Sequence, residues 1–204
     1  PKPSSAASDV YKRQAPATTV AELVAYGRAN PGKLNMASAG MGSVNHLTGE
    51  LFMFRSGAKF EHVPYRGAGP ATSDLLSGQV QVLFANLPNV LPYVKTGQVR
   101  VLAVASDKRS ASIKDVPTLA EAGVKDAVVE SWYGVMAPAG TDPQVIRKLQ
   151  DTVIAIANDK ALVGQLADQG AVPYPGTSED LAKLSAEETR RWKEIIDSAK
   201  IQLD

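Results

Sequence analysis

The 204-residue chain has no cysteine, only two histidines, and a net charge of +1 because its acidic and basic side chains nearly cancel. Without cysteine, disulfides, thiolate nucleophiles and zinc–thiolate sites are excluded. Without a long basic run, binding to nucleic acid is not predicted. No apolar run approaches the roughly 20 residues that a membrane-spanning helix needs, so direct membrane insertion is not predicted either.

Sequence motifs of common cofactor sites and enzymes are also missing. The turns Gly40-x-Gly42 and Gly67-x-Gly69 lack the third glycine of a dinucleotide fingerprint, and neither is followed by the Gly-Lys-Ser/Thr of a P-loop. His46 and His62 do not have metal-ligand spacing, and no G-x-S-x-G nucleophile elbow occurs. We therefore predict no cofactor, no metal and no catalytic residues, and we favour a binding protein over an enzyme.

The first 16 residues lack the pattern of a folded segment. Residues 1–16 are polar, contain prolines and show no hydrophobic periodicity. Within them, the run DVYKRQ at residues 9–14 is what one reading frame of a common sequencing-library adapter encodes. We interpret residues 1–16 as a non-native segment, with a disordered native N-terminus as the alternative.

The stretch from Phe60 to Asn86 organises the predicted fold. It consists of a β-prone run at Phe60–Tyr65, a glycine-rich turn at Arg66–Pro70, a short helix, and an apolar run at Val80–Phe84. Pro70 suits the first position of that helix. A similar unit precedes it, with a strand at Leu34–Ser38 and a glycine-rich turn before a helix. Strands that alternate with helices predict a parallel α/β sheet.

The remaining segments extend this pattern. The apolar runs Val99–Ala105 and Val128–Ala137 are predicted as further strands, and Leu87–Gly97 as a short helix. Trp132 and Tyr133 in the second of these runs are expected mainly as core residues, with a ligand-covering role as the alternative. From Asp142 onward the chain is predicted to be helical, because Pro143 follows a capping Asp and apolar residues recur at helical spacing.

The two glycine-rich turns are the candidate ligand site. Both follow the carboxyl end of a predicted parallel strand, where ligands of open α/β folds bind, and a helix start there favours an anion. Asn86 follows the next strand along the chain, and His46 lies one turn into a helix. The predicted ligand-binding residues are Ser38, Gly40, Gly42, Ser43, His46, Tyr65, Gly67, Ala68, Ala71 and Asn86.

Each of these assignments has a structural alternative. The turns could simply be tight connections between a strand and a helix. Asn86 could cap the helix that follows it, and His46 could be satisfied by its own helix start. His62 alternates with Phe60 and Pro64 along a predicted strand and is expected to be structural.

The sequence also resembles a known family of receptors. The stretch from VPYRGAGPATSDLLSGQVQVLFAN to VPTLAEAG, together with GKLNMASAGMGSVNHLTGELF and ESWYGVMAPAGT, is similar to the substrate-binding proteins of tripartite tricarboxylate transporters, the Bug-type receptors. The resemblance extends from Thr18 to Asp204. In the similar receptors the two loops hold a carboxylate through backbone amides and hydroxyls, with water helping. One departure is Ala85, which stands where the family often has an acidic residue.

The resemblance implies a fold and a function. The implied fold is α/β of the type II periplasmic-binding-protein kind, with parallel sheets and flanking helices. Residues 17–105 would form a nearly complete second lobe, and residues 106–204 an incomplete C-terminal part of the first lobe. The implied function is capture of a small organic carboxylate in the periplasm for membrane transporter subunits. Alternatives are a ligand-sensing subunit of a two-component system and, less favoured, an enzyme acting on a small carboxylate.

Overall fold

The computed structural model describes residues 15–202, so the interpretation of residues 1–14 lies outside the described part of the chain. Helices surround a small sheet near the N-terminal end, and longer helices follow toward the C-terminus. The elements in chain order are α1 (Val20–Ala29), β1 (Asn35–Ser38), α2 (Val44–Ser56), β2 (Glu61–Pro64), α3 (Ala68–Ser77), β3 (Val82–Leu83), α4 (Leu87–Lys95), α5 (Pro143–Ala157), α6 (Lys160–Asp168) and α7 (Ser178–Ala199).

The three strands form one parallel sheet in the order β2-β1-β3. In the register of β1 with β2, Asn35 pairs with Glu61 and Ser38 pairs with Pro64. The carboxyl ends of these two strands are therefore level with each other. The predicted α/β fold with parallel strands and flanking helices is confirmed.

Local sequence signals explain where the helices begin. Thr19, Ser43, Asp142 and Thr177 each accept a hydrogen bond from a backbone N–H of the helix that follows. Such caps satisfy N–H groups that have no partner inside the helix. The predicted start of α3 needs correction, because the helix begins at Ala68 and Pro70 lies at its third position. A proline is compatible with this place, since the first-turn N–H groups have no intrahelical acceptor.

One buried cluster joins distant parts of the chain. The cluster contains Met36 of β1, Leu51 and Phe52 of α2, and Val129 from the region after the sheet. Trp192 of α7 packs against it. The cluster thus draws on residues from both sides of the lobe boundary predicted between residues 105 and 106. The division into lobes itself stays a prediction.

The prediction of strands at Val99–Ala105 and Val128–Ala137 is wrong. Within the first segment, the described pairing is a single bridge between Val104 and Thr118, and Val129 N–H donates to the Ala105 carbonyl at 2.7 Å. A strand needs a neighbour along its length to satisfy its backbone groups. These segments are apolar enough for strands, but their pairings are too few to form a ladder.

The C-terminal helices carry apolar side chains on their surfaces. In α5, Val145 and Leu149 are 47% and 46% exposed, and Ile156 is 52% exposed. Within residues 15–202, no helix combines the length and apolar composition that crossing a membrane requires. Val145, Leu149 and Ile156 share one side of α5, which is therefore an exposed apolar face.

Glycine packing in α1 provides a test of this fold. A Cβ atom at Gly27 would lie 2.8 Å from Phe60 Cε1 and 3.0 Å from Ala58 Cβ. Both neighbours are buried, so we expect Gly27→Ala to lower the free energy of unfolding by about 1–3 kcal/mol through overpacking. Urea unfolding followed by circular dichroism measures the change.

The matched control is Gly164→Ala in the interior of α6, where an added Cβ meets no atom within 4 Å. Alanine has the higher helix propensity, so this variant should gain up to about 1 kcal/mol. Equal effects of the two substitutions would contradict the close approach of α1 to Phe60.

Candidate functional site

The two glycine-rich turns lie side by side and are joined by backbone hydrogen bonds. Tyr65 N–H donates to the Ser38 carbonyl at 3.0 Å, and Gly67 N–H donates to the Ala39 carbonyl at 3.1 Å. These bonds continue the parallel pairing of β1 and β2 past the ends of the strands. The sequence placed the turns at equivalent strand ends, and the structure brings them into direct contact.

Glycine is required at three positions of the two turns. Gly40, Gly42 and Gly67 have φ angles of 135°, 70° and 110°. Side chains with a Cβ atom rarely adopt such positive values. The conformation of both turns therefore depends on glycine at these positions.

The serine hydroxyls predicted to face a ligand are engaged within the protein. Ser38 is fully buried, and its Oγ donates to the Gly40 carbonyl at 3.1 Å and accepts from Gly40 N–H at 3.2 Å. Ser43 Oγ donates to the same carbonyl at 2.6 Å and caps α2 by accepting from His46 N–H. Both side chains thus shape the first turn. The prediction that they point toward a ligand is not supported for this conformation.

The two histidines form a stacked pair beneath the first turn. The ring centroids of His46 and His62 are 3.9 Å apart, and the ring planes differ by 14°. His46 Nδ1 accepts a hydrogen bond from Gly42 N–H at 3.2 Å, and its Nε2 lies 3.5 Å from the Glu50 carboxylate. His62 Nε2 lies 2.7 Å from Ser38 Oγ. His46 is only 2% exposed, so its side chain does not reach the surface in this conformation, and its contact with a ligand stays a prediction.

The environment of the pair favours uncharged imidazoles. Burial lowers the pKa of His46 below 6.5, although the nearby Glu50 carboxylate partly opposes this effect. Burial and the neighbouring His46 lower the pKa of His62 to about 4. Both rings are therefore neutral near pH 7.

Tyr65 is tied to the helix that follows its turn. Its hydroxyl donates to the Asp74 carboxylate of α3 at 2.7 Å. This hydrogen bond, with a smaller effect of burial, raises the pKa of Tyr65 to about 12. The phenol stays protonated and orients the second turn against α3. Asp74 was not among the predicted site residues, because its reach to Tyr65 depends on the direction of the turn.

The start of α3 presents backbone N–H groups at the second turn. Gly67 is the cap residue and makes no side-chain capping bond. The N–H groups of the first three helical residues have no acceptor inside the helix, which leaves those of Ala68 and Gly69 available, while Pro70 has none. The Ala71 side chain is fully buried. Any contact of Ala71 with a ligand therefore has to use its backbone.

Asn86 belongs to a different polar cluster. Its Oδ1 accepts from Ser131 Oγ at 3.0 Å, and its Nδ2 donates to the Tyr133 hydroxyl. No side-chain capping bond to α4 accompanies these contacts, so the alternative of a capping Asn is not supported. Tyr133 is 80% exposed. The expectation that it packs in the core is wrong, because its segment does not form a strand.

A large apolar groove lies apart from the two turns. It has a volume of about 1810 Å³ and is lined by β3, the segments around Val101 and Val135, and the helices α5 to α7. Asn86 contributes to its wall, whereas the other predicted site residues do not. The groove stands out by its volume. Its apolar lining does not match the polar backbone groups offered by the turns.

Among residues 15–202, no group of three or more His, Cys, Asp or Glu side chains has the geometry of a metal site. The chemistry of the two turns is that of hydrogen-bond donation from backbone amides. Residues 4–201 match the model of the tripartite tricarboxylate transporter family receptor.

The chain belongs to this receptor family. Protein BugT of Bordetella pertussis is 40% identical to it over 174 residues, which cover 85% of this chain and 53% of BugT. The R. palustris protein Rpa4515, in a structure with adipate, has 35% identity and a TM-score of 0.89 over 91% of this chain and 62% of that one. MatC from Rhodopseudomonas palustris, with bound malate, has 30% identity and a TM-score of 0.81 over 89% of this chain and 63% of that one.

The family is one of periplasmic solute-binding receptors rather than of enzymes. The resemblance read from the sequence is therefore confirmed. This chain spans only about half of the length of BugT and less than two thirds of the two structures.

The sequence did not predict two contacts near the candidate residues. The contact of His62 with Ser38 depends on the strand register, and the contact of Asn86 with Ser131 joins residues that are 45 positions apart.

The histidine pair predicts how stability depends on pH. The unfolded chain binds protons at His62 near pH 6.5, whereas the folded chain resists them down to about pH 4. Protons therefore favour unfolding, and the stability contributed by neutral His62 should fall as the pH drops from about 6.5 to about 4. Urea unfolding at a series of pH values measures this dependence.

The control is His62→Gln, which keeps a polar group near Ser38 but does not titrate. Its stability should fall less steeply across the same pH range, while the carboxylates contribute equally to both proteins. Parallel curves for the two proteins would contradict the lowered pKa of His62.

Proposed function

We propose that the protein is an extracytoplasmic receptor that captures a small organic carboxylate in the periplasm and delivers it to the membrane subunits of a tripartite tricarboxylate-type transporter. Binding involves no chemical step. The whole protein's ligand and partners are part of this proposal, because the chain spans only part of its relatives. The structures of two relatives with adipate and malate support a carboxylate as the ligand.

The observation that carries the proposal is the contact between the two turns. The hydrogen bond from Gly67 N–H to the Ala39 carbonyl places the starts of α2 and α3 at one edge of the sheet. Each helix start bears a partial positive charge and favours an anion. A carboxylate at this edge would accept hydrogen bonds from the N–H groups of Ala68 and Gly69 at the start of α3.

The other candidate residues have supporting roles in this arrangement. Gly40, Gly42 and Gly67 allow the ligand to approach the backbone, and Ser38, Ser43 and His46 hold the first turn in shape. Tyr65 orients the second turn through Asp74. Asn86 lies with Ser131 and Tyr133 and is proposed to contact a different part of the ligand.

The test removes one backbone N–H group from the proposed site. Ala68 is the first residue of α3, and proline is tolerated at this position because the N–H has no intrahelical acceptor. Ala68→Pro should weaken carboxylate binding by the value of one hydrogen bond to a charged group, about 1.5–3 kcal/mol or roughly ten- to a hundredfold in Kd. Calorimetric titration of the complete protein that the native gene encodes, with adipate, malate and a tricarboxylate, measures the change.

The matched control is Lys160→Pro, which places proline at the first position of α6, away from the turns. It should leave the affinity unchanged. Failure of every organic acid to bind the unsubstituted protein would contradict the proposed function. Equal affinities of Ala68→Pro and Lys160→Pro would contradict the role of the α3 start.

We further propose that residues 17–105 and 106–204 belong to two lobes, of which the one containing residues 106–204 is incomplete in this chain. The exposed apolar faces of α5 and the groove of about 1810 Å³ support this division. The unpaired apolar segments at 99–105 and 128–137 line the same groove. Additional strands, of the kind that longer relatives have room for, would cover these surfaces.

Hydrogen exchange of the 204-residue chain tests this division. Amides of α5 and α6 should exchange faster than those of α2, because helices with exposed apolar faces lack the packing that resists local opening. The longer native protein should protect α5 and α6 to the level of α2. Equal protection of all three helices in the 204-residue chain, together with a single cooperative unfolding transition, would contradict an incomplete lobe.

A further inference from the structure

We propose that the His46–His62 pair positions the Gly40–Ser43 turn for ligand binding, and that it does so only while both rings are uncharged. The inference rests on the proposed function, because it assigns a role to residues beneath the proposed carboxylate site. It adds a positioning role for His62 and a pH dependence of ligand affinity.

Each ring supports one glycine of the turn. His46 Nδ1 accepts directly from Gly42 N–H at 3.2 Å. His62 acts through Ser38, since its Nε2 lies 2.7 Å from Ser38 Oγ, which in turn contacts both the N–H and the carbonyl of Gly40. The two glycines have the left-handed conformations that shape the turn. Loss of either contact therefore frees one side of the turn.

Stacking links the two rings. With centroids 3.9 Å apart and planes 14° from parallel, a positive charge on one ring lies directly against the other. Like charges at this distance repel, so both rings cannot be charged in this arrangement. A shift of either ring displaces its partner and the glycine that the partner supports.

Protonation also removes the hydrogen bond itself. His46 Nδ1 accepts from Gly42 N–H, which assigns the ring proton of the neutral imidazole to Nε2, on the side of Glu50. A second proton would have to sit on Nδ1 and would convert that atom from an acceptor to a donor. Two donors would then face each other, and the contact with Gly42 would break.

The surrounding charges are few. Glu50, on the same helix as His46, is the carboxylate near the pair, and its effect on His46 is smaller than that of burial. From β1, the group that faces His62 is the neutral Ser38 hydroxyl. The Asp74 carboxylate on α3 is hydrogen bonded to Tyr65. The protonation of the two rings therefore depends mainly on their burial and on their contact with each other.

The test compares the native pair with a pair that does not titrate. In the variant His46→Asn/His62→Gln, the Asn oxygen can replace Nδ1 as the acceptor for Gly42 N–H, and the Gln amide can replace Nε2 near Ser38. Affinity for malate is measured from pH 7.5 to pH 4 with the complete native protein and with this variant. Ionisation of malate affects both proteins equally, so the ratio of the two affinities isolates the histidines.

We expect the ratio of native to variant affinity to fall by about twofold or more between pH 7.5 and pH 4, where folded His62 begins to bind protons. A constant ratio would overturn the proposal. The substitution His62→Phe, which keeps a stacked ring but cannot contact Ser38, should weaken binding at pH 7.5, whereas His62→Gln should restore most of it. Equal affinities for His62→Phe and His62→Gln would overturn the positioning role.

A second measurement needs neither a variant nor a ligand. In the native protein, the amide resonances of Gly40 and Gly42 should shift with the same midpoint as the imidazole resonances when the pH is lowered. Amides that do not respond to histidine protonation would overturn the proposal even if the variants fail to fold. Titrating amides without binding of any organic acid would refute the proposed function but leave the positioning of the turn in place.

Discussion

The parallel pairing of β1 with β2 is the constraint on which the candidate site depends. The register that aligns Ser38 with Pro64 makes the two strands end at the same level. The bonds from Tyr65 and Gly67 to the first turn can form only in that register. A slip by one residue would turn the side chains of β2 to the opposite face and would separate His62 from Ser38. The site is thus a direct product of strand alignment.

Beneath the turns, polar groups occupy positions where apolar ones would be expected. Ser38 of β1 and His46 of α2 are buried, although the preceding β1 residues Met36 and Ala37 are buried and apolar. Burying such groups is costly unless each is hydrogen bonded. Among the described residues, no buried side-chain nitrogen or oxygen lacks a partner. The cluster is complete by itself, and its polarity serves to hold the conformation of the glycines.

The sequence predicted the elements better than their contacts. Helix starts could be read from capping residues such as Asp142 and Thr177, because capping is a local property. The adjacency of the two turns followed from parallel strands. The burial of Ser38 and its contact with His62 could not be predicted, since both depend on register. The prediction of strands at 99–105 and 128–137 was wrong. Apolar composition is a property of each segment alone, whereas a strand also needs a neighbouring strand with which to pair.

Helix α7 contacts both the buried cluster around β1 and the apolar groove. Trp192 in its C-terminal half packs on the cluster around β1, and Arg191 donates to the Val128 carbonyl. Leu181, nearer its start, lines the apolar groove. The 11 residues between Leu181 and Trp192 span about 16 Å of helix, so a tilt of about 10° around Trp192 displaces Leu181 by about 3 Å. A small change in the tilt of α7 on the core would therefore move the wall of the groove at Leu181.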